Sequence, residues 1–203
     1  MNRLTALLCA VTFLAACAAP QQRVEDPQAV YLERGVQVRA LTDWNLSGRL
    51  SMDDGDEGGS GRLQWRTSPD VTQLDFRGAL GRGAWRLTVG PEESVLERGD
   101  GSLARARRVE ELVLAETGWN IPVRSLQWWV LGIAAPGPHE AMDFDDGGLL
   151  RRLVQDGWTI DYGRYQDVEG IDLPGRLEAV NGPYRVKLAV GRWSLAGPAG
   201  ADG

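Results

Sequence analysis

The chain has 203 residues, of which 43% are hydrophobic and 25% charged, with a formal charge of −6. That is ordinary globular composition. It allows one domain with a sizeable core and excludes wholesale disorder or a collagen-like repeat. The net acidity argues against a nucleic-acid backbone binder. The single histidine, His139, leaves a zinc site built on paired imidazoles without its second ligand.

The N-terminus reads as an address. Arg3 is followed by an apolar run from Leu4 to Leu14, interrupted by Thr5 and Thr12. A bilayer span needs about 20 apolar residues, so this run is too short to be one. A basic start, a short apolar stretch and small residues at the end are the pattern of a secretory signal. Its end, Leu14-Ala15-Ala16-Cys17, resembles the bacterial lipobox. That resemblance implies a lipoprotein signal peptide over 1–16 and a diacylglyceryl and N-acyl lipid on Cys17. Residues 17–25 then form a polar tether. Ala18 is not the aspartate of the bacterial inner-membrane retention rule, which implies the outer membrane. Cys9 would leave with the leader, so the mature fold has no thiols to pair and rests on packing.

From Asp26 the pattern is that of a folded domain. Asp26-Pro27 is a helix start, with Asp26 as N-cap, and the helix runs to about Ala40 with a break or bend near Gly35. From Trp44 the period changes to two. Leu46, Gly48, Leu50 and Met52 share one strand face, and Asn45, Ser47, Arg49 and Ser51 the other. Asp53 to Ser60 is a polar, Gly-rich hairpin loop. Further strands are expected at Gly61–Arg66, Val71–Arg77, Ala84–Val89 and Ser94–Arg98. Helical spacing returns from about Arg105 to Glu116, ending at Gly118, and a second short helix opens at Pro122 with Leu126, Trp129 and Val130 on one side. Strands resume at Leu150–Gln155, Trp158–Tyr165, Leu173–Val180 and Tyr184–Trp193. Asp156-Gly157 and Asn181-Gly182 mark tight hairpins. Residues 196–203 read as a disordered Gly/Ala tail.

Strands, two helices and strands again, joined by short connections, indicate an antiparallel sheet that curls on itself. The helices can cover one opening. The pattern alone fits either a container with an apolar interior or a filled barrel or sandwich.

Catalytic patterns fail. Gly58-Gly59-Ser60-Gly61 lacks the spacing of a nucleophile elbow. Gly81-Arg82-Gly83 lacks the third glycine of a dinucleotide loop. Lys187 is the only lysine and lies mid-strand. Asp53, Asp54, Asp56 and Glu57 miss the EF-hand spacing and read as a solvated hairpin tip. Asp143, Asp145 and Asp146 read as a charged loop, as does the His139 region.

Several segments, in order, resemble the LolB family of outer-membrane lipoproteins. They are Trp44-Asn45-Leu46-Ser47-Gly48-Arg49-Leu50, Leu63-Gln64-Trp65, Ala79-Leu80-Gly81 and Ile121-Pro122-Val123 with Ser125-Leu126-Gln127-Trp128-Trp129-Val130-Leu131-Gly132. Gln155-Asp156-Gly157-Trp158, Tyr162, Tyr165, Leu173-Pro174, Arg176-Leu177 and Trp193 follow. The resemblance spans the lipobox to about Leu195. The sister carrier family, LolA, is similar in arrangement but has no lipobox cysteine.

The resemblance implies a mainly β fold, an unclosed antiparallel β-barrel with a helical lid (about 105–131) over an apolar cavity, in one domain over 26–195. It implies a non-enzymatic receptor, held by its lipid to the periplasmic face of the outer membrane. That receptor takes acylated lipoproteins from the periplasmic carrier LolA and inserts them into the membrane's inner leaflet. It implies a monomer with no cofactor beyond the lipid on Cys17. Trp65, Trp129 and Trp158 match aromatic positions of the cavity and lid, although the same residues also read as plain core. Leu80 matches the apolar tip of a loop used for membrane insertion, with Ala79 where the family often has Pro. Arg62, Arg77, Arg82 and Arg86 flank the strands near that loop and read as facing headgroups, an acidic carrier or solvent alone. The alternative function is a lipid-anchored envelope enzyme acting on lipid or peptidoglycan.

Overall fold

Eleven strands form one antiparallel sheet in the computed structural model, which describes residues 24–79, 83–118 and 120–195. In chain order the elements are α1 (Pro27–Arg39), β1 (Trp44–Asp53), β2 (Gly58–Thr67), β3 (Thr72–Gly78), β4 (Trp85–Val89), β5 (Ser94–Arg98) and β6 (Leu103–Ala106). Then come α2 (Val109–Thr117), α3 (Val123–Trp129), β7 (Ala141–Phe144), β8 (Leu150–Gln155), β9 (Trp158–Val168), β10 (Ile171–Asn181) and β11 (Tyr184–Leu195). The spatial order is β6-β5-β4-β3-β2-β1-β11-β10-β9-β8-β7. Two meanders therefore meet where β1 pairs with β11. The free edges, β6 and β7, flank the helical segment in sequence. The barrel is unclosed, as expected, and α2 and α3 connect its two edges.

Side-chain alternation builds the core. Leu46, Leu50, Leu63, Trp65, Leu74, Phe76, Leu87 and Leu96 are buried on one face of β1–β5, and Leu177, Leu188 and Val190 continue that face. The outward positions are polar, so each strand is sided by the hydrophobic effect alone. Trp44 sits between Trp65 and Trp193, with ring centroids 5.6 and 5.5 Å away. These indoles fill the seam between the first and last strands, which is where three of the chain's tryptophans go.

Local chemistry explains the element ends. The Asp26 carboxylate accepts from the Ala29 amide at 3.0 Å and caps α1 behind Pro27. Gly118 closes α2 with φ 74°, a conformation that costs glycine nothing. Asp156 and Gly157 both have positive φ, as a two-residue hairpin of the primed type requires.

Four local expectations are corrected. Helix α1 runs unbroken through Gly35, which lies on its buried face. The helical pattern read from Arg105 begins only at Val109, because Leu103–Ala106 pairs with β5 as an edge strand. Asp143 belongs to strand β7 rather than a loop; Asp145 and Asp146 form the turn after it. The acidic hairpin is shorter than read, since Asp53 still pairs with Gly58. Its tip spends its carboxylates on its own backbone: Asp53 accepts from Gly55, and Asp54 from Asp56 and Glu57.

Candidate functional site

Helices α2 and α3 lie over the apolar face of the sheet, and the space between is not filled. A cavity of about 360 Å³ remains. That volume lies at the lower end of the range for small-ligand pockets. The sheet contributes Leu63, Trp65, Leu74, Phe76, Leu87, Leu96, Leu177 and Leu188, and the lid contributes Val113, Ile121, Val123, Leu126 and Val130. Phe76 and Trp85 stack at 5.2 Å along one wall. Glu57, the only charged residue of the lining among the described residues, is exposed together with Gly58 and Gly59, so the cavity reaches the surface beside the β1–β2 hairpin. Strand register puts the β3–β4 connection at that same end, since Gly78 faces Gly61 and Arg98 faces Trp85.

The lid is held unequally. Its C-terminal end is fixed by buried polar groups. Trp129 donates its indole N–H to Gln155 Oε1 at 2.9 Å, and Tyr162 donates its hydroxyl to the Trp129 carbonyl at 3.0 Å. Gln155 also accepts from the Ala135 amide and donates to the Ala135 and Pro138 carbonyls, so its buried amide is fully used. Arg34 reaches in from α1. Its guanidinium donates to the carbonyls of Leu131, Gly132 and Asp172 and lies 5.4 Å from the Tyr165 ring centroid. Desolvation pulls the Arg34 pKa down from its ordinary value, and nearby tyrosines and Asp172 oppose that shift. The N-terminal half of the lid, α2, is held by burial of Val109 and Leu112 and by ion pairs of Glu116 with Arg98 and of Glu110 with Arg124. Ser125 donates to Asp156 at 2.8 Å, tying α3 to the β8–β9 turn.

The residues singled out in the sequence fall in three places. Trp65 lines the cavity, and its buried Nε1 has no hydrogen-bond partner among the described residues. Trp129 is the last residue of α3, fully buried, 6.4 Å from the Trp158 ring; neither of these two is in the cavity wall. Leu80, Arg82 and Cys17 lie outside the described residues, as do the leader and residues 196–203. Among the described residues there is no group of three or more His, Cys, Asp or Glu that could hold a metal, and His139 is exposed. Arg34 and Gln155 were missed as anchors. The signal for Arg34 was its place on the apolar face of α1, at helical spacing from Tyr31 and Val38; Gln155 sits at an inward position of β8.

The family of the chain is decided by its length of match. A family model described as outer membrane lipoprotein LolB matches residues 42–193. This chain belongs to the LolB family. It is 39% identical over 188 residues to the outer-membrane lipoprotein LolB of Alkalilimnicola ehrlichii, covering 92% of this chain and 94% of the relative. The LolB of Stutzerimonas stutzeri is 36% identical over 189 residues, covering 91% and 92%. A LolA superfamily protein from Nitrosomonas europaea shares the fold, with a TM-score of 0.50, 9% sequence identity, and coverage of 86% of this chain and 95% of that one. Membership of the LolB family accounts for all the segments quoted above between Trp44 and Trp193.

Proposed function

We propose that this protein is the outer-membrane receptor that takes acylated lipoproteins from a periplasmic carrier and delivers them to the membrane. The observation that carries the proposal is the apolar cavity between sheet and lid. A buried methylene is worth about 0.8 kcal/mol, so one acyl chain of about 16 carbons gains roughly 12 kcal/mol on leaving water. Release of free lipoprotein into the periplasm is then too slow to serve transport. The chains must pass directly from a carrier cavity to this one and on to the bilayer, each step downhill. No nucleotide is required.

In this scheme Trp65 supplies a buried donor within an otherwise apolar wall. An unpaired buried donor costs about 1–3 kcal/mol, which the carbonyl at the head of an acyl chain would recover. The lipid on Cys17 anchors the chain, a carrier of the LolA kind is the donor, and a monomer suffices because one chain contains the whole cavity. Residues 17–25 are the tether and 26–195 the working domain. Leu80 is the group that perturbs the lipid at the exit, and Trp129 and Trp158 serve by holding α3 in place. The envelope-enzyme alternative finds no support in the family.

The test is binding. A fluorescent fatty acid should enter the cavity, quench or shift tryptophan emission, and be displaced by a triacylated lipopeptide. A lipopeptide that fails to compete would remove the receptor assignment.

A further inference from the structure

The outer face of the sheet carries a line of arginines that follows from strand register alone. Arg164 on β9 faces Arg176 on β10, and Arg176 faces Ala189 on β11. Ala189 faces Arg49 on β1, Arg49 faces Arg62 on β2, and Arg62 faces Arg77 on β3. Five arginines and one alanine thus cross six strands in one row. All five are exposed, and among the described residues none has a carboxylate partner.

The neighbouring rows are different. On one side Arg152 pairs with Asp161, and Lys187 with Glu178. On the other, Asp75 holds both Arg66 and Arg86, and Arg86 also meets Glu97. Burial would raise the Asp75 pKa, but hydrogen bonds from Gln73 and Arg86 and the charges of Arg86 and Arg66 outweigh it and hold the carboxyl below its ordinary value. The middle row alone lacks compensation. Like charges directly opposite one another destabilise a sheet. Arg49, Arg62 and Arg77, directly opposed on successive strands, are therefore a local cost to the sheet.

We propose that this row is a docking surface for the phosphate headgroups of an anionic phospholipid bilayer. Guanidinium forks match phosphate oxygens in pairs. Strands are spaced about 4.8 Å apart, so the row extends about 24 Å, which suits an array of headgroups better than a single convergent ion. Arg49, Arg62 and Arg77 border a depression of about 720 Å³ in which Gly48 and Gly191 present no side chain. A second hollow joins the same three arginines to Gly78 and Ala79, the residues that precede Leu80 in the chain. The row thereby reaches the end of β3 that leads to Leu80, the residue proposed for membrane insertion, and the inference rests on that membrane reading. With the outer face on the bilayer, the lid on the opposite face is left for the carrier.

The experiment uses the lipidated protein purified from membranes, with Ala189→Cys labelled by a fluorophore and reconstituted into vesicles that contain nitroxide lipids. The label should be quenched in vesicles rich in phosphatidylglycerol, released by raised salt, and unquenched in pure phosphatidylcholine. Each surface arginine is worth about fivefold in partitioning, so combined Arg49→Ser, Arg62→Ser and Arg176→Ser should lower the docked fraction relative to free by about a hundredfold. Equal quenching in neutral and anionic vesicles overturns the proposal. So does a triple variant that still docks, or one whose only defect is weaker binding of an acidic carrier protein. Fatty-acid displacement measured on the same sample separates the two readings: normal displacement with an unquenched label defeats the docking row alone.

Discussion

Trp129 and Gln155 join the lid to the sheet through one buried bond of 2.9 Å, both residues being at most 1% exposed. Replacing Gln155 by Leu would strand the Trp129 indole N–H and the Ala135 amide away from water. Each orphaned donor costs about 1–3 kcal/mol. Gln155→Leu should therefore lose about 2–6 kcal/mol of unfolding free energy by urea titration. A loss below the range for one orphaned donor would mean that the lid end relaxes without this bond.

Alkaline pH should weaken the fold through Tyr162 and Tyr165. Burial pushes both hydroxyls above their ordinary 10.0, with Arg34 opposing the rise. The unfolded chain then releases its tyrosine protons first, so it binds fewer protons than the folded one. Stability is present below about pH 10 and is lost as pH climbs beyond it. Tyr162→Phe removes one of the two groups and should flatten the decline measured between about pH 9 and pH 11. An unchanged slope would show that Tyr162 does not contribute.

Filling the cavity should separate folding from binding. Leu126 reaches the cavity from α3 and is only half-buried. Leu126→Trp should keep a cooperative unfolding transition, at a cost of about 1–3 kcal/mol for overpacking, while abolishing fatty-acid uptake. Uptake at the unmodified level would place the guest elsewhere.

Leu80→Asp should accept a lipoprotein from the carrier and fail to pass it to liposomes. Normal delivery by that variant would take the insertion role away from Leu80.

Relieving the arginine row should stabilise the sheet. Arg62 lies between Arg49 and Arg77, its direct neighbours on both sides. Arg62→Thr replaces a repelling partner with a good strand former and should gain about 0.2–1 kcal/mol, seen as a higher Tm. A lower Tm would mean that the row supports the fold in some other way.

Strand faces were legible wherever an element was long enough to alternate. β1 and β11 show their sidedness in six or more successive residues. β6 and β7 have only four residues each, so alternation had too little length to register. The Arg105-to-Arg108 run beside them blends into a helix start. The anchors were harder. Arg34 meets Gly132 and Asp172, residues 98 and 138 positions away, and no local pattern encodes such partners. The arginine row is invisible along the chain for a related reason. Each arginine is one ordinary outward position, and the row exists only in the paired sheet, where a register shift that skips Gly163 sets Arg164 opposite Arg176.

The pairing of β1 with β11 also governs assembly. The central ladder of the sheet joins Trp44 to Leu195, nearly the full length of the described chain. Nothing translated before Tyr184 can supply that ladder. A truncated product would hold two half-sheets, each with an oily face and a raw inner edge, and both would be prone to aggregate. Contacts this distant in sequence also make folding slow. The sheet is therefore completed only after its last strand has emerged, and a chain that has not yet folded can still be threaded across a membrane.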